Sequence, residues 1–196
     1  MNYIEKIKAK LKQSNGIITS KQIKDLNIPT IYLSRMLKKQ ELNKLSRGVY
    51  IDKNTDYDEF YFFSLRFSVP VFSYVSALYF HELTDIIPNE MEVTVYKGYN
   101  AHSLNDNVIV HYVNKDIYDL GITIKETPFG NTIRVYDLER TVCDFIKNRD
   151  QIEAELFSTT INRYARSKNK NLDKLYEYSK KMKIVKEIIE IMQIVL

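Results

Sequence analysis

The sequence predicts an α+β fold, and three observations predict it. Apolar residues recur at helical spacing over residues 4–40, and the pattern switches to period two around Leu42–Ile51. Short β-type runs then fill the stretch between residues 92 and 136, and helical spacing returns from Asp137 onward. With 196 residues, 44% hydrophobic and 28% charged, and only 5 Gly and 4 Pro, the chain has the composition of an ordinary globular protein, neither fibrous nor disordered. It is long enough for one large domain or two small ones to bury a working core.

The first helix follows from Ile4, Ile7 and Leu11, an i, i+3, i+7 stripe with lysines between, and it stops near Asn15-Gly16. Thr19 or Ser20 caps a short second helix over residues 21–26, which Asn27-Ile28-Pro29 breaks. A third begins at about Pro29 or Thr30. In it Ile31, Leu33, Met36 and Leu37 can supply the apolar side, leaving Thr30, Tyr32, Ser34, Arg35, Lys38 and Lys39 for the other faces. After Gln40-Glu41, Leu42–Ile51 reads as a hairpin turning at Arg47-Gly48, where glycine accepts the positive φ of a tight turn. Three helices followed by such a hairpin make a winged helix-turn-helix, assigned to residues 1–53. The segment 52–58 has no apolar periodicity and marks the boundary to a second domain, residues 54–196.

Charge is distributed to match. Residues 1–53 hold twelve Lys/Arg against four Asp/Glu, a formal +8, whereas the remaining 143 residues hold 17 basic and 21 acidic groups, or −4. A positive field confined to one end favours a polyanion there, and on a winged helix that polyanion is double-stranded DNA. The plainer alternative is that the lysines only keep the domain soluble.

The second domain opens with an aromatic helix over residues 59–67, ended by Val69-Pro70, and another follows over residues 73–83. Strands are expected at 92–96, 108–113 and 122–126, the last pairing with 132–136 through Pro128-Phe129-Gly130-Asn131. Asp137 caps a helix reaching Lys147, and 153–166, 172–182 and 184–195 read as three more. Helices around a small, mostly antiparallel sheet make this domain α+β.

Two stretches carry a family likeness: Tyr32-Leu33-Ser34-Arg35-Met36-Leu37 leading into Leu45-Ser46-Arg47-Gly48-Val49-Tyr50, and Thr127-Pro128-Phe129-Gly130 followed by Arg134-Val135-Tyr136-Asp137-Leu138-Glu139-Arg140-Thr141-Val142-Cys143-Asp144. In order, separation and total length the chain resembles the AbiEi-like abortive-infection antitoxins of type IV toxin–antitoxin systems. The resemblance implies a bacterial two-gene module. Its antitoxin represses its own operon through the winged helix, commonly on inverted repeats of its promoter, and its C-terminal domain counteracts a nucleotidyltransferase toxin without requiring a stable complex.

For DNA, the third helix is expected in the major groove. Arg35 is the base reader, because a guanidinium can fork onto the O6 and N7 of guanine. Thr30, Tyr32, Ser34, Lys38 and Lys39 are the other candidates on that helix, with Lys44 and Arg47 on the wing. The alternative for Arg35 is a surface pair with Glu41 or Asp25. In the second domain Glu139, Arg140, Thr141 and Asp144 form the sharpest cluster: Arg140 and Asp144 share a helix face, and Glu139 suits the positive helix end. By resemblance they are an antitoxicity surface; by their chemistry they are a polar clasp holding the helix to the preceding hairpin. Lys168, Lys170, Lys174, Lys180, Lys181, Lys183 and Lys186 could lengthen the DNA surface or be a solvated face.

No enzyme activity is expected. His81, His102 and His111 lie in three unrelated contexts, and the lone Cys143 sits within a helix as a buried thiol. Asp85, Glu90, Glu92 and Lys97 loosely echo metal-dependent nucleases, but with the wrong lysine spacing, and phosphate-loop and nucleophile-elbow motifs are missing from the sequence. Neither cofactor nor metal is expected. The start lacks an apolar leader and no run reaches the roughly 20 apolar residues of a membrane span, so the expectation is a cytoplasmic protein with no membrane partner. Two rival readings stand beside the repressor: a protein-interaction antitoxin whose basic head is incidental, and a metal-dependent nuclease.

Overall fold

A computed structural model describes residues 2–104 and 107–195. By their internal contacts they divide into two compact units, Met1–Arg66 with Glu126–Thr132, and Phe67–Lys125 with Ile133–Leu196.

The first unit runs α1 (Tyr3–Gln13), β1 (Ile17–Thr19), α2 (Ser20–Asp25), α3 (Ile31–Lys38), β2 (Leu42–Ser46), β3 (Val49–Asp52) and α4 (Glu59–Arg66). Reciprocal caps set the starts of the first two helices. Asn2 Oδ1 accepts from the Glu5 amide at 2.9 Å while the Glu5 carboxylate accepts from the Asn2 amide at 2.8 Å. Thr19 and Gln22 repeat the arrangement at 3.1 and 2.8 Å. Ile7, Leu11, Ile18, Ile23, Ile28, Leu33, Met36 and Leu42 close a core between the helices. The strands form an antiparallel sheet in the order β1-β3-β2, with Ile17 opposite Ile51 and Asn43 on the other side of Ile51. Three-residue β1 escaped the sequence reading because a run that short has no measurable period.

Helix α4 lies in this unit because Phe62 packs with Ile17, Val49 and Ile51 on the sheet. The turn 126–132 joins the unit through Asp58. Its buried carboxylate accepts from Thr127 Oγ1 at 2.6 Å and from Asn131 Nδ2 at 2.8 Å. Asn15 Nδ2 adds a bond to the Gly130 carbonyl at 3.0 Å.

The second unit contains β4 (Val71–Phe72), α5 (Tyr74–Phe80), β5 (Met91–Tyr96), β6 (Val108–Val113), α6 (Lys115–Tyr118), β7 (Ile122–Glu126, ending at the unit boundary), β8 (Thr132–Tyr136), α7 (Leu138–Lys147), α8 (Ala154–Arg166), α9 (Leu172–Met182) and α10 (Val185–Val195). The α+β class is as the sequence predicts. The five-stranded sheet, ordered β6-β5-β4-β8-β7, is mixed rather than mostly antiparallel: β4 pairs antiparallel with β5, but β5–β6 and β4–β8 run parallel. One parallel pair comes from β4, a two-residue strand in the stretch that the sequence leaves as a connection between helices; the other comes from β5 and β6, which pair over six residues each.

Leu78, Val142, Cys143, Phe145, Ile146, Ile161, Tyr164, Leu175, Met182, Ile188 and Met192 form the helical core of this unit. In α10, whose apolar residues are too many for one stripe, Ile188 and Met192 face that core while Ile194 is 83% exposed. No helix among the described residues is long and apolar enough to cross a membrane.

Candidate nucleic-acid interface

Between α2 and α3 the chain turns through Asn27, at φ 55°, and Pro29. Helix α3 then presents two different sides. Leu33 and Met36 are buried and Leu37 is half-buried against the head core. Ile31, Ser34, Arg35 and Lys38, spaced i, i+3, i+4 and i+7, are all exposed and therefore form one continuous stripe. Thr30 and Lys39 are also exposed, and the Thr30 side chain makes no capping bond, so its hydroxyl is not committed to the helix start.

Two side chains differ from the sequence reading. Ile31 is 53% exposed instead of lying on the apolar side. Two positions separate it from Leu33, which at about 100° per residue puts the two on nearly opposite faces. Tyr32 is half-buried, packs against the head core and meets the Tyr3 ring at 5.0 Å. Its ring is therefore a structural support more than an outward group. Arg35 lies over it, with the guanidinium 5.0 Å from the ring centroid. Such stacking restrains the long side chain. Glu41 does not take up Arg35; it pairs with Lys8 at 2.8 Å, which raises the lysine pKa and lowers that of the glutamate.

On the wing, Lys44 and Arg47 are exposed, with Arg47 in the turn between β2 and β3. Gly48 follows at φ +81°, the left-handed conformation that the tight turn demands. A register shift between Lys44 and Ser46 bends β2 just before the turn. The head thus exposes cations on both elements, α3 and the wing.

The cluster at residues 137–144 belongs to the second unit and is buried throughout. Asp137 caps α7 by accepting from the Arg140 amide at 2.9 Å, and also accepts from Tyr178 Oη and Lys174 Nζ, each at 2.9 Å. Burial first, and then the Asp137 carboxylate, push the Tyr178 hydroxyl up to about 12 against the opposing effect of Lys174. Glu139 accepts from the Asn171 amide at 2.9 Å, and Thr141 Oγ1 donates to the Asp137 carbonyl at 2.8 Å.

Arg140, wholly buried, donates from Nε to both Asp144 oxygens at 3.1 Å and from Nη1 to the Ile117 and Leu120 carbonyls, and its guanidinium lies 4.1 Å from the Tyr136 ring centroid. Burial raises the Asp144 pKa despite the arginine. Gly121, at φ +81°, leaves room for this side chain: a Cβ there would stand 2.6 Å from that of Arg140. The geometry is that of a clasp, and its bonds run to α6 and the segment after it and to α9 with its N-cap.

The other singled-out side chains are dispersed. His81 Nε2 donates to the Tyr136 carbonyl, His102 is exposed, and His111 contacts Glu92 at 2.7 Å. Asp85 pairs with Arg163, and among the described residues no group of three or more His, Cys, Asp or Glu gathers as metal ligands would. Cys143 is buried, which pushes its thiol up. A cleft of 610 Å³ runs along β6, with Glu92, Lys97 and His111 among its walls. Of the C-terminal lysines, Lys174, Lys180 and Lys186 have acidic partners, Asp137, Glu177 and Glu190.

No curated protein matches the chain in sequence. Among solved structures, the fold is similar to that of the RV2827C protein from Mycobacterium tuberculosis, with a TM-score of 0.59 at 8% identity, covering 94% of this chain and 76% of that one. At such identity the likeness is one of fold. Residues 5–51, from α1 to the wing, match the model of the family described as transcriptional regulator, AbiEi antitoxin, the same family that the sequence resembles.

Proposed function

We propose that the protein is the antitoxin of a type IV toxin–antitoxin system, a cytoplasmic phage-resistance module, and that it represses its own operon by binding inverted repeats in the promoter. The observation that carries this reading is the exposed stripe Ile31-Ser34-Arg35-Lys38 on α3, flanked by the cationic wing, within a segment that matches the AbiEi family model. Arg35 forks onto a guanine edge, Thr30, Ser34, Lys38 and Lys39 hold phosphates or neighbouring base edges, and Lys44 and Arg47 reach the adjacent backbone or groove. Tyr32 acts through the stacking that holds Arg35.

The second unit serves the antitoxic role, countering a nucleotidyltransferase toxin without chemistry of its own. Glu139, Arg140, Thr141 and Asp144 maintain its fold. Electrophoretic shifts of the promoter duplex by the full chain test the DNA role: binding is expected, and Arg35→Ala and Arg47→Ala weaken it. A shift that both substitutions leave unchanged removes this interface. Co-expression with the neighbouring gene product tests the antitoxin role, with rescue of growth expected.

A further inference from the structure

We propose that Ile31 is a specificity-determining residue that reads the 5-methyl group of a thymine in the major groove. The inference rests on the DNA-binding reading above and adds a base preference to it. Ile31 is 53% exposed although the head core lies on the opposite side of the same helix, and it occupies the first turn of α3. Its neighbours on the stripe, Ser34, Arg35 and Lys38, are all polar or charged. An aliphatic side chain amid such a stripe has no hydrogen bond to offer DNA, and in the major groove the apolar feature that distinguishes a base is the thymine methyl.

Recognition helices of this type contact base edges with their N-terminal residues, where Ile31 stands. Four residues separate it from Arg35, about 6 Å along the helix axis, close to two base-pair steps. The α3 face therefore specifies a thymine roughly two base pairs from the guanine held by Arg35. Exposure also means that the side chain adds little to the fold, which leaves its branched apolar group for what it meets outside.

The experiment measures binding of the full chain to its promoter duplex and to the same duplex synthesised with deoxyuridine in place of thymidine. The wild-type protein is expected to bind the uracil duplex about fourfold more weakly, the effect of one lost methyl burial. Ile31→Ala should bind both duplexes equally and more weakly than wild type binds thymine DNA, whereas Ile31→Val should keep the discrimination. Circular dichroism confirms that each variant is folded, as exposure of the site leads one to expect. Equal binding of both duplexes by the wild type, or undiminished discrimination by Ile31→Ala, overturns the thymine assignment and leaves the DNA-binding reading standing. Failure of the wild type to bind the promoter duplex overturns both.

Discussion

Arg140 Nε stands 3.1 Å from each oxygen of the Asp144 carboxylate, and neither side chain reaches solvent. Deleting one partner of such a pair leaves the other as an uncompensated buried charge. Arg140→Ala is expected to cost roughly 3–5 kcal/mol of stability, while Arg140→Met combined with Asp144→Leu recovers most of it. Urea unfolding checks this. A cost below about 1 kcal/mol, with antitoxicity alone lost, would make the cluster a functional surface after all.

Phosphate and base contacts separate by salt. Lys38→Ala, Lys39→Ala and Lys44→Ala should each lower the slope of log affinity against log salt by about one and weaken binding on all duplexes alike. Arg35→Ala should cost roughly 1–3 kcal/mol and relax selectivity at a single operator position. Fluorescence anisotropy on operator variants distinguishes the two patterns.

Asp58 fastens the turn 126–132 within the first unit through Thr127 and Asn131. Replacing it with alanine strands the Thr127 and Asn131 donors of the turn, each worth roughly 1–3 kcal/mol when left buried and unmet, and also uncaps the Tyr61 amide at the start of α4. Limited proteolysis of Asp58→Ala should show faster cutting within 126–132 than in the native chain. Equal cleavage rates would show that the turn is held by other contacts.

Burial holds His81 below the ordinary histidine value of 6.5, although its bond to the Tyr136 carbonyl works the other way. The unfolded chain therefore takes up a proton near that value before the folded chain does, and stability falls as pH drops through it. The thermal midpoint should decline between about pH 7.5 and about pH 5.5, and His81→Gln should flatten part of the decline. A slope untouched by the substitution would assign the effect elsewhere.

Long periodic elements are legible in the sequence because apolar residues recur along them at regular spacing. Helices α7 and α9 and strands β6, β7 and β8 have the predicted bounds, and the Asp137 cap is where the residue type placed it. Strands β1 and β4 were not legible: three and two residues carry no period, and each exists only because partners distant in sequence supply its hydrogen bonds. In the candidate interface, exposure of Arg35, Lys38, Lys44 and Arg47 followed from charge. Ile31 escaped because hydrophobicity was read as inwardness; its angular distance from Leu33 was the signal that could have placed it outside. Asp58 signals only the start of α4, where it accepts from the Tyr61 amide at 3.1 Å; its partners in the turn lie about 70 residues away and no spacing rule reaches that far.

The two residues of β4 have a consequence for synthesis. Phe72 meets β5 soon after it is made but waits about 60 residues for Val135 on its other flank. Until the ribosome has delivered that strand, one side of the sheet's middle rail is open, with Val71 and Phe72 still wettable. A chain halted before Val135 would carry a bare, adhesive sheet margin, the kind that chaperones cover and proteases find.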